Sequence, residues 1–240
     1  LAGQHVLFDE KEVRHMQKVL RLKPGDRVIG FDGKGHEFEI TLVKEIDGTL
    51  RGKIEAVSSR ETEPNISLHL VQGLAKAEKM DTIIQKAVEI GVYSIYPLVT
   101  QNTVVKIKED KQENKLKRWQ TIAREACKQC RRNYIPEVKP VQDINDFLKN
   151  RDKGGVAIML YENEYAISLG QAVKSHLDII KQKGVYLLIG PEGGFSSQEA
   201  EAARRQGVIT AGLGPRILRT ETAGLVAASI VLYICGAFEL

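Results

Sequence analysis

Leu187-Leu188-Ile189-Gly190-Pro191-Glu192-Gly193-Gly194-Phe195-Ser196-Ser197-Gln198-Glu199 joins a strand, a turn and a helix start in one short segment. The run Val185 to Ile189 is apolar and reads as a strand of the interior. Gly190, Gly193 and Gly194 then turn the chain, and residues without a Cβ let backbone come close to a ligand. Ser196 with Glu199 three residues on is a capping box, the signature of a helix start. A strand that passes through a glycine turn into a helix is one unit of an α/β sheet.

The same alternation extends outward from this segment. Upstream, Ile66 to Gly73 reads as a strand, and Ile83, Ile84, Ala87, Val88 and Ile90 give the next helix its buried stripe, closed by Gly91. Strand Tyr93 to Val99, a basic helix from about Asn114 to Cys130 and strand Val156 to Tyr161 follow. Downstream come strand Val208 to Leu213 and a long apolar helix at the C-terminus. Strands separated by helices predict a mostly parallel sheet covered on both faces. The first third is different. Val13, Met16, Val19 and Leu20 recur at helical spacing from Asp9 until Pro24-Gly25-Asp26. Strands Arg27 to Phe31, Glu37 to Val43 and Leu50 to Val57 are then separated by the hairpin signals Asp32-Gly33-Lys34-Gly35 and Asp47-Gly48. Ser58 to Asn65, reading SSRETEPN, has no apolar residue, so the boundary is placed there, with domains over residues 1–62 and 63–240.

Composition bounds what such a chain can be. With 240 residues, 28% charged and 42% apolar, it is neither disordered nor collagen-like, and its 3 cysteines exclude a disulfide scaffold. Lys and Arg exceed Asp and Glu by 35 to 31, so a net charge of +4 fits an anionic partner only where the excess is clustered. Cys127, Cys130 and Cys235 have no framework spacing and fit a reducing compartment, so a cytoplasmic protein is expected. The uncharged run Thr222 to Phe238 falls short of a comfortable membrane span and contains Gly224, Ser229 and Gly236. It reads as a buried helix rather than a tail anchor. No secretory signal opens the sequence, which begins at Leu1 without a Met.

Ligands of open α/β sheets bind outside the carboxyl ends of the strands, which singles out three loops. They are Leu160-Tyr161-Glu162-Asn163-Glu164, Gly190 to Ser196, and Leu213-Gly214-Pro215-Arg216-Ile217-Leu218-Arg219-Thr220-Glu221-Thr222. Neither G-x-G-x-x-G nor G-x-x-x-x-G-K-[ST] occurs, so the dinucleotide and P-loop fingerprints are absent. The glycine loop alone also reads as a structural turn, and Arg216 and Arg219 alone as solvated side chains. Two such loops separated by one helix and one strand favour a site. There the guanidiniums hold an anion, and the hydroxyls of Thr220 and Thr222 are expected to cap the last helix. Cys127 and Cys130 extend the stripe of Leu116, Trp119, Ile122, Ala123 and Ala126, so core packing is favoured over a metal or redox pair. The other face carries Lys115, Lys117, Arg118, Arg124, Lys128, Arg131 and Arg132, which is either a solvated face or a surface for RNA backbone. The five histidines lie outside the three loops, and no metal site is expected.

LLIGPEGGFSSQE at Leu187 to Glu199 and LGPRILRTETA at Leu213 to Ala223 together resemble the motif pair of the RsmE family of ribosomal RNA uridine N3-methyltransferases, in the SPOUT superfamily. DTIIQKAVEIGV at Asp81 to Val92, the Arg118 to Arg132 helix and VLRLKPGDRV at Val19 to Val28 extend the resemblance over nearly the whole chain. It implies a small PUA-like β-barrel that binds RNA, then a SPOUT-type parallel sheet whose last strands and helix form a deep trefoil knot. It implies S-adenosylmethionine as methyl donor, a homodimer, and a uridine of 16S ribosomal RNA in the small subunit as substrate. A few further residues are implied before Leu1. On this reading Leu160, Glu162, Gly190, Pro191, Glu192, Gly193, Leu213, Gly214, Ile217 and Leu218 hold the cofactor. Arg219 and Arg216 stabilise the charge that develops on uracil, Glu221 is a weak candidate base, and Arg14, Lys18, Arg21, Arg124, Arg131 and Arg132 contact RNA. The rival readings are an RNA-binding module without catalysis and a nucleotide-dependent oxidoreductase.

Overall fold

The computed structural model describes residues 4–44, 50–105 and 107–239. The chain divides into two compact units, one of Leu1–Thr62 with Arg131–Tyr134, the other of Glu63–Cys130 with Ile135–Leu240.

The first unit opens with strand β1 (His5–Leu7), then helix α1 (Glu10–Arg14), started by the Asp9 carboxylate accepting the Glu12 N–H at 2.7 Å. A wider π-helical turn follows at His15–Val19, where the Leu20 N–H reaches back to the His15 carbonyl at 3.1 Å. This turn corrects the sequence reading. Its larger number of residues per turn rotates Val19 and Leu20 off the apolar stripe, and they are 65% and 55% exposed. Strands β2 (Arg27–Phe31), β3 (Glu37–Lys44) and β4 (Leu50–Ser58) complete an antiparallel sheet in the order β1-β4-β3-β2, an open order among the described residues. Met16, Leu42 and Leu50 fill its core against Phe8, Val13, Leu22 and Val28.

Between β2 and β3 the Asp32 carboxylate accepts the N–H groups of Lys34 at 2.7 Å and His36 at 3.2 Å, while Gly33 and Gly35 take φ of 73° and 105°. The Asp47-Gly48 signal lies outside the described residues. The segment Arg131–Tyr134 belongs to this unit because Asn133 is wired into it. Asn133 donates to the carbonyls of Arg60 at 2.7 Å and Gly35 at 3.2 Å, accepts from the Thr62 hydroxyl at 2.9 Å, and gives its own carbonyl to the Gly35 N–H at 3.1 Å. Arg132 lies in the same segment, only 5% exposed. It is therefore removed from the solvent-facing basic set that the sequence proposed for RNA.

The second unit runs β5 (Leu68–Gly73), α2 (Ala77–Ile90), β6 (Ser94–Val99), α3 (Glu109–Cys130), β7 (Glu137–Val138), β8 (Gln142–Asp143) and α4 (Ile144–Asn150). It continues with β9 (Val156–Leu160), α5 (Leu169–Ser175), α6 (Leu177–Lys183), β10 (Val185–Ile189), α7 (Ser197–Arg205), β11 (Ile209–Ala211) and α8 (Thr220–Ile234). Seven strands form one sheet in the order β11-β9-β10-β5-β6-β7, with β8 also on β6, and every described pairing is parallel. Gly91, at φ 110°, ends α2 by giving its N–H to the Ala87 and Val88 carbonyls. Strand β11 stops at Ala211, short of the predicted Leu213, because Gly212 leaves the ladder to bond the chain around Ile167 and Leu169.

Trp119, Ala123, Ala126 and Cys127 are buried on α3, as a core stripe requires, and Cys130 is half-buried with its thiol on the Cys127 carbonyl. Among the described residues no helix is long and apolar enough to cross a membrane. Helix α8 instead buries Ala227, Ala228, Val231 and Leu232 and packs against α2, α5, β5 and β10.

Candidate cofactor and substrate site

Strands β5 and β10 are neighbours whose chains leave in opposite directions. From β5 the chain passes through α2 to β6 on one side; from β10 it passes through α7 to β11 at the other edge. The crevice at the carboxyl ends of two such strands is where open α/β sheets bind ligands. Here the walls touch. A Cβ on Gly73 would stand 2.5 Å from the Pro191 nitrogen, so only glycine lets the end of β5 meet the loop after β10.

The three predicted loops converge on this edge of the sheet. The loops after β9 and β11 are stitched together by the Gly212 N–H on the Ile167 carbonyl at 2.8 Å and the Leu169 N–H on the Gly212 carbonyl at 2.9 Å. Glu162 lies against the loop after β10, since a Cβ on Gly194 would be 3.8 Å from its carboxylate. Leu160, Leu213 and Leu218 are half-buried, and Ile217 is 84% exposed. Gly214 sits at φ 93° with open space where a Cβ would be. This strip of backbone with apolar side chains on an open side fits a flat, partly apolar ligand such as an adenosine. The conformation of Gly214, rather than crowding by protein atoms, is what demands glycine.

Charge is organised around the same crevice. Glu192 accepts the Lys76 N–H at 3.2 Å and faces the Lys79 ammonium at 3.7 Å, and Lys79 reaches Glu221 at 3.1 Å. The Glu221 carboxyl is held below the usual carboxylate range by its own backbone N–H first, with Lys79 and Arg219 adding and partial burial opposing. That makes Glu221 a poorer proton acceptor than the sequence reading allowed. Arg216 and Arg219 are exposed. The Arg219 carbonyl starts α8 by accepting the N–H groups of Thr222 at 2.9 Å and Ala223 at 2.8 Å. The hydroxyl caps expected from Thr220 and Thr222 are not made: the N-cap residue is Arg219, whose side chain makes no cap, and the Thr220 hydroxyl donates to the Gly190 carbonyl at 2.6 Å.

Several participants escaped the sequence reading. Asn102, after β6, donates to the Gly193 carbonyl at 2.9 Å and the Gly194 carbonyl at 3.3 Å. Buried Glu199 completes its capping box with Ser196 and accepts the Gln101 N–H at 2.7 Å, which ties the loop after β6 to that after β10. Gln72, wholly buried in β5, lies under the crevice. A polar residue next to the carboxyl end of a predicted strand was the available signal. A cavity of about 330 Å³ lies beside these loops, lined by Thr100, Gln101, Asp143, Asn145, Gln198 and Glu199 among others, and includes none of the predicted site residues. Of the predicted RNA contacts, Arg14, Lys18 and Arg21 are exposed in the first unit with Arg131, and Arg124 is exposed on α3. Part of the basic face of α3 is already ion-paired, through Arg118 to Asp81 at 2.7 Å and Lys117 to Glu113 at 2.7 Å. Among the described residues no group of three potential ligands gathers for a metal.

A parallel sheet with three loops at its switch point, following a small antiparallel unit, is the architecture on which two family models match, and together they place the chain in the class of RNA methyltransferases with a PUA domain. The RNA methyltransferase domain family matches residues 62–232, and the RNA methyltransferase PUA domain family matches residues 8–55. The chain is 34% identical over 230 residues to ribosomal RNA small subunit methyltransferase E of Bacillus subtilis, covering 93% of this chain and 88% of that one. The Aquifex aeolicus protein of the same name is 30% identical, with 96% and 95% covered. A crystal structure of the Neisseria gonorrhoeae enzyme of that name, bound to S-adenosyl methionine, superposes with a TM-score of 0.86 at 31% identity, covering 98% and 93% of the two chains. The chain belongs to the ribosomal RNA small subunit methyltransferase E, or RsmE, family.

Proposed function

We propose that this protein transfers a methyl group from S-adenosylmethionine to N3 of a uridine in 16S ribosomal RNA. The observation that carries the reading is the convergence of three backbone loops at the β5/β10 crevice, next to Arg216 and Arg219. When bound, the cofactor supplies an electrophilic methyl group on a sulfonium. Leu160, Leu213, Ile217 and Leu218 offer apolar surface to its adenine, with Gly190, Pro191, Gly193 and Gly214 bringing backbone close. Glu162 and Glu192 accept from hydroxyl or amine groups. Uracil N3 gives its proton to solvent water, and the negative charge then spreads over two carbonyl oxygens until N3 takes the methyl group. An exposed guanidinium of Arg219 or Arg216 stabilises that charge.

Arg14, Lys18, Arg21, Arg124 and Arg131 are assigned to RNA, with the PUA-like domain ending near residue 62 and the catalytic domain following. The assembly is a homodimer. Val226 and Tyr233, seven residues apart and so on one side of α8, are both exposed, Tyr233 by 73%, which supports a partner on that face. The last segment is threaded as a trefoil knot. The passage of the chain out to β11 at the sheet edge and back to α8 against β5 and β10 supports that threading. The site of action is the cytoplasm.

Titration calorimetry with S-adenosylmethionine, NAD and NADP, followed by mass mapping of small-subunit RNA after incubation, tests the reading. Binding of the first alone and one added methyl on a uridine are expected. Binding of a nicotinamide cofactor, or cofactor binding without methylation, would transfer the protein to one of the rival classes.

A further inference from the structure

Beneath the crevice lies a polar relay joining β5, the loop after β10 and the start of α8. Gln72, in β5, is wholly buried, and its amide nitrogen donates to the Thr220 hydroxyl at 2.9 Å and to the Gly73 carbonyl at 2.9 Å. The Gly190 carbonyl lies 3.5 Å from the same nitrogen. The Thr220 hydroxyl passes its single proton on to the Gly190 carbonyl at 2.6 Å. The orientation of the amide follows from its neighbours. Turned over, its oxygen would face two carbonyls and a hydroxyl already committed as a donor, so only the nitrogen fits there. The oxygen is left buried without a donor, pointing to Gly224 of α8, where a Cβ would stand 3.3 Å away.

Chains of this kind are directional and mutually strengthening, and leaving any member unpaired in the interior is costly. The relay ends on the residue that follows Arg219 and on the one that precedes Pro191-Glu192. On its other side Glu221 is tied to Lys79. The backbone that carries Arg219 is thus held from β5, from the loop after β10 and from α2.

We propose that Gln72 is a positioning residue for the methyl transfer: acting through Thr220, it fixes where Arg219 stands relative to the Gly190 loop. The inference rests on the methyltransferase reading above. A side chain acting this way governs the rate of the bound complex rather than the affinity for either ligand, because a small misplacement of a stabilising group costs rate.

The test uses the full chain with S-adenosylmethionine and small-subunit RNA. Thr220→Val keeps the shape and removes the hydroxyl. It is expected to slow single-turnover methylation tenfold to a hundredfold, with the dissociation constant for S-adenosylmethionine and the KM for RNA within threefold of the parent. Thr220→Ser, which restores the hydroxyl, is expected to recover most of the rate. Gln72→Met, which leaves the Thr220 to Gly190 bond in place, is expected to fall between them and serves if Thr220→Val does not fold. A parent rate in Gln72→Met, or in a folded Thr220→Val, overturns the proposal. So does equal damage by Ser and Val at position 220, which would assign the effect to packing of the methyl group. Failure of the parent protein itself to bind S-adenosylmethionine or to methylate RNA would instead overturn the methyltransferase reading.

Discussion

His69 gives this protein an acid-sensitive point remote from its chemistry. The ring sits at the amino end of β5, stacked on Tyr186 with centroids 4.5 Å apart and with Nδ1 2.7 Å from the Ser94 hydroxyl. Burial, with Lys139 nearby, pushes its pKa down from 6.5 to about 4. Because the folded state binds this proton less readily than the unfolded chain, the contribution to stability is fully present above pH 6.5. It is lost as the pH falls from there toward 4. A shift of this size corresponds to at most about 3 kcal/mol, and to about 2 kcal/mol once the part of the ring still in water is allowed for. His69→Phe keeps an aromatic ring on Tyr186 and removes the titration. Urea unfolding of both proteins at pH 7.5 and pH 4.5 isolates the effect, since carboxylates common to both cancel in the difference. The parent is expected to lose about 2 kcal/mol more than the variant on acidification, with S-adenosylmethionine affinity at pH 7.5 the same in both. Equal losses would mean that His69 protonates in place, and that the burial argument is wrong.

Three further outcomes follow from the site. Arg219→Lys keeps the charge but loses the planar fork, and single-turnover methylation should fall tenfold to a thousandfold, about 1.4 to 4 kcal/mol, with both ligands still bound. A change in melting temperature at an unaltered rate would instead leave Arg219 only the start of α8. Gly73→Ala places a methyl 2.5 Å from the Pro191 nitrogen, so the glycine loop must move, and calorimetry should show S-adenosylmethionine affinity reduced at least tenfold. An unchanged dissociation constant would remove that loop from the site. Replacing Arg14 and Lys18 together by Ala should lower the slope of log affinity for RNA against log salt by about 1.4 to 1.8, as two lost phosphate contacts require. A parallel drop in affinity at every salt concentration would rule out a phosphate role.

What the sequence determined by itself was local. Apolar runs, the capping box at Ser196 and Glu199, and the glycine after α2 act over a few residues, so β5, β6, β9 and β10 were legible nearly to their ends, whereas the two-residue strands β7 and β8 are too short to leave a pattern and α3 begins five residues before the predicted Asn114. So were the three loops, because they follow predicted strands. The identity of the cofactor came from the resemblance of two motifs, which periodicity alone does not supply. Long-range pairing was left to the tertiary structure. Only the fold decided that β5 lies beside β10, which makes the crevice, and that β1 joins β4. Only the fold sent Arg131–Tyr134 to the first unit and so buried Arg132. Thr220 shows the reason most plainly. A threonine at a helix start reads locally as a cap, yet its hydroxyl pairs with Gln72, 148 residues away in sequence. Hydrogen-bonding groups buried on folding must find partners wherever the topology brings them, and the spacing of residues along the chain carries no record of that meeting.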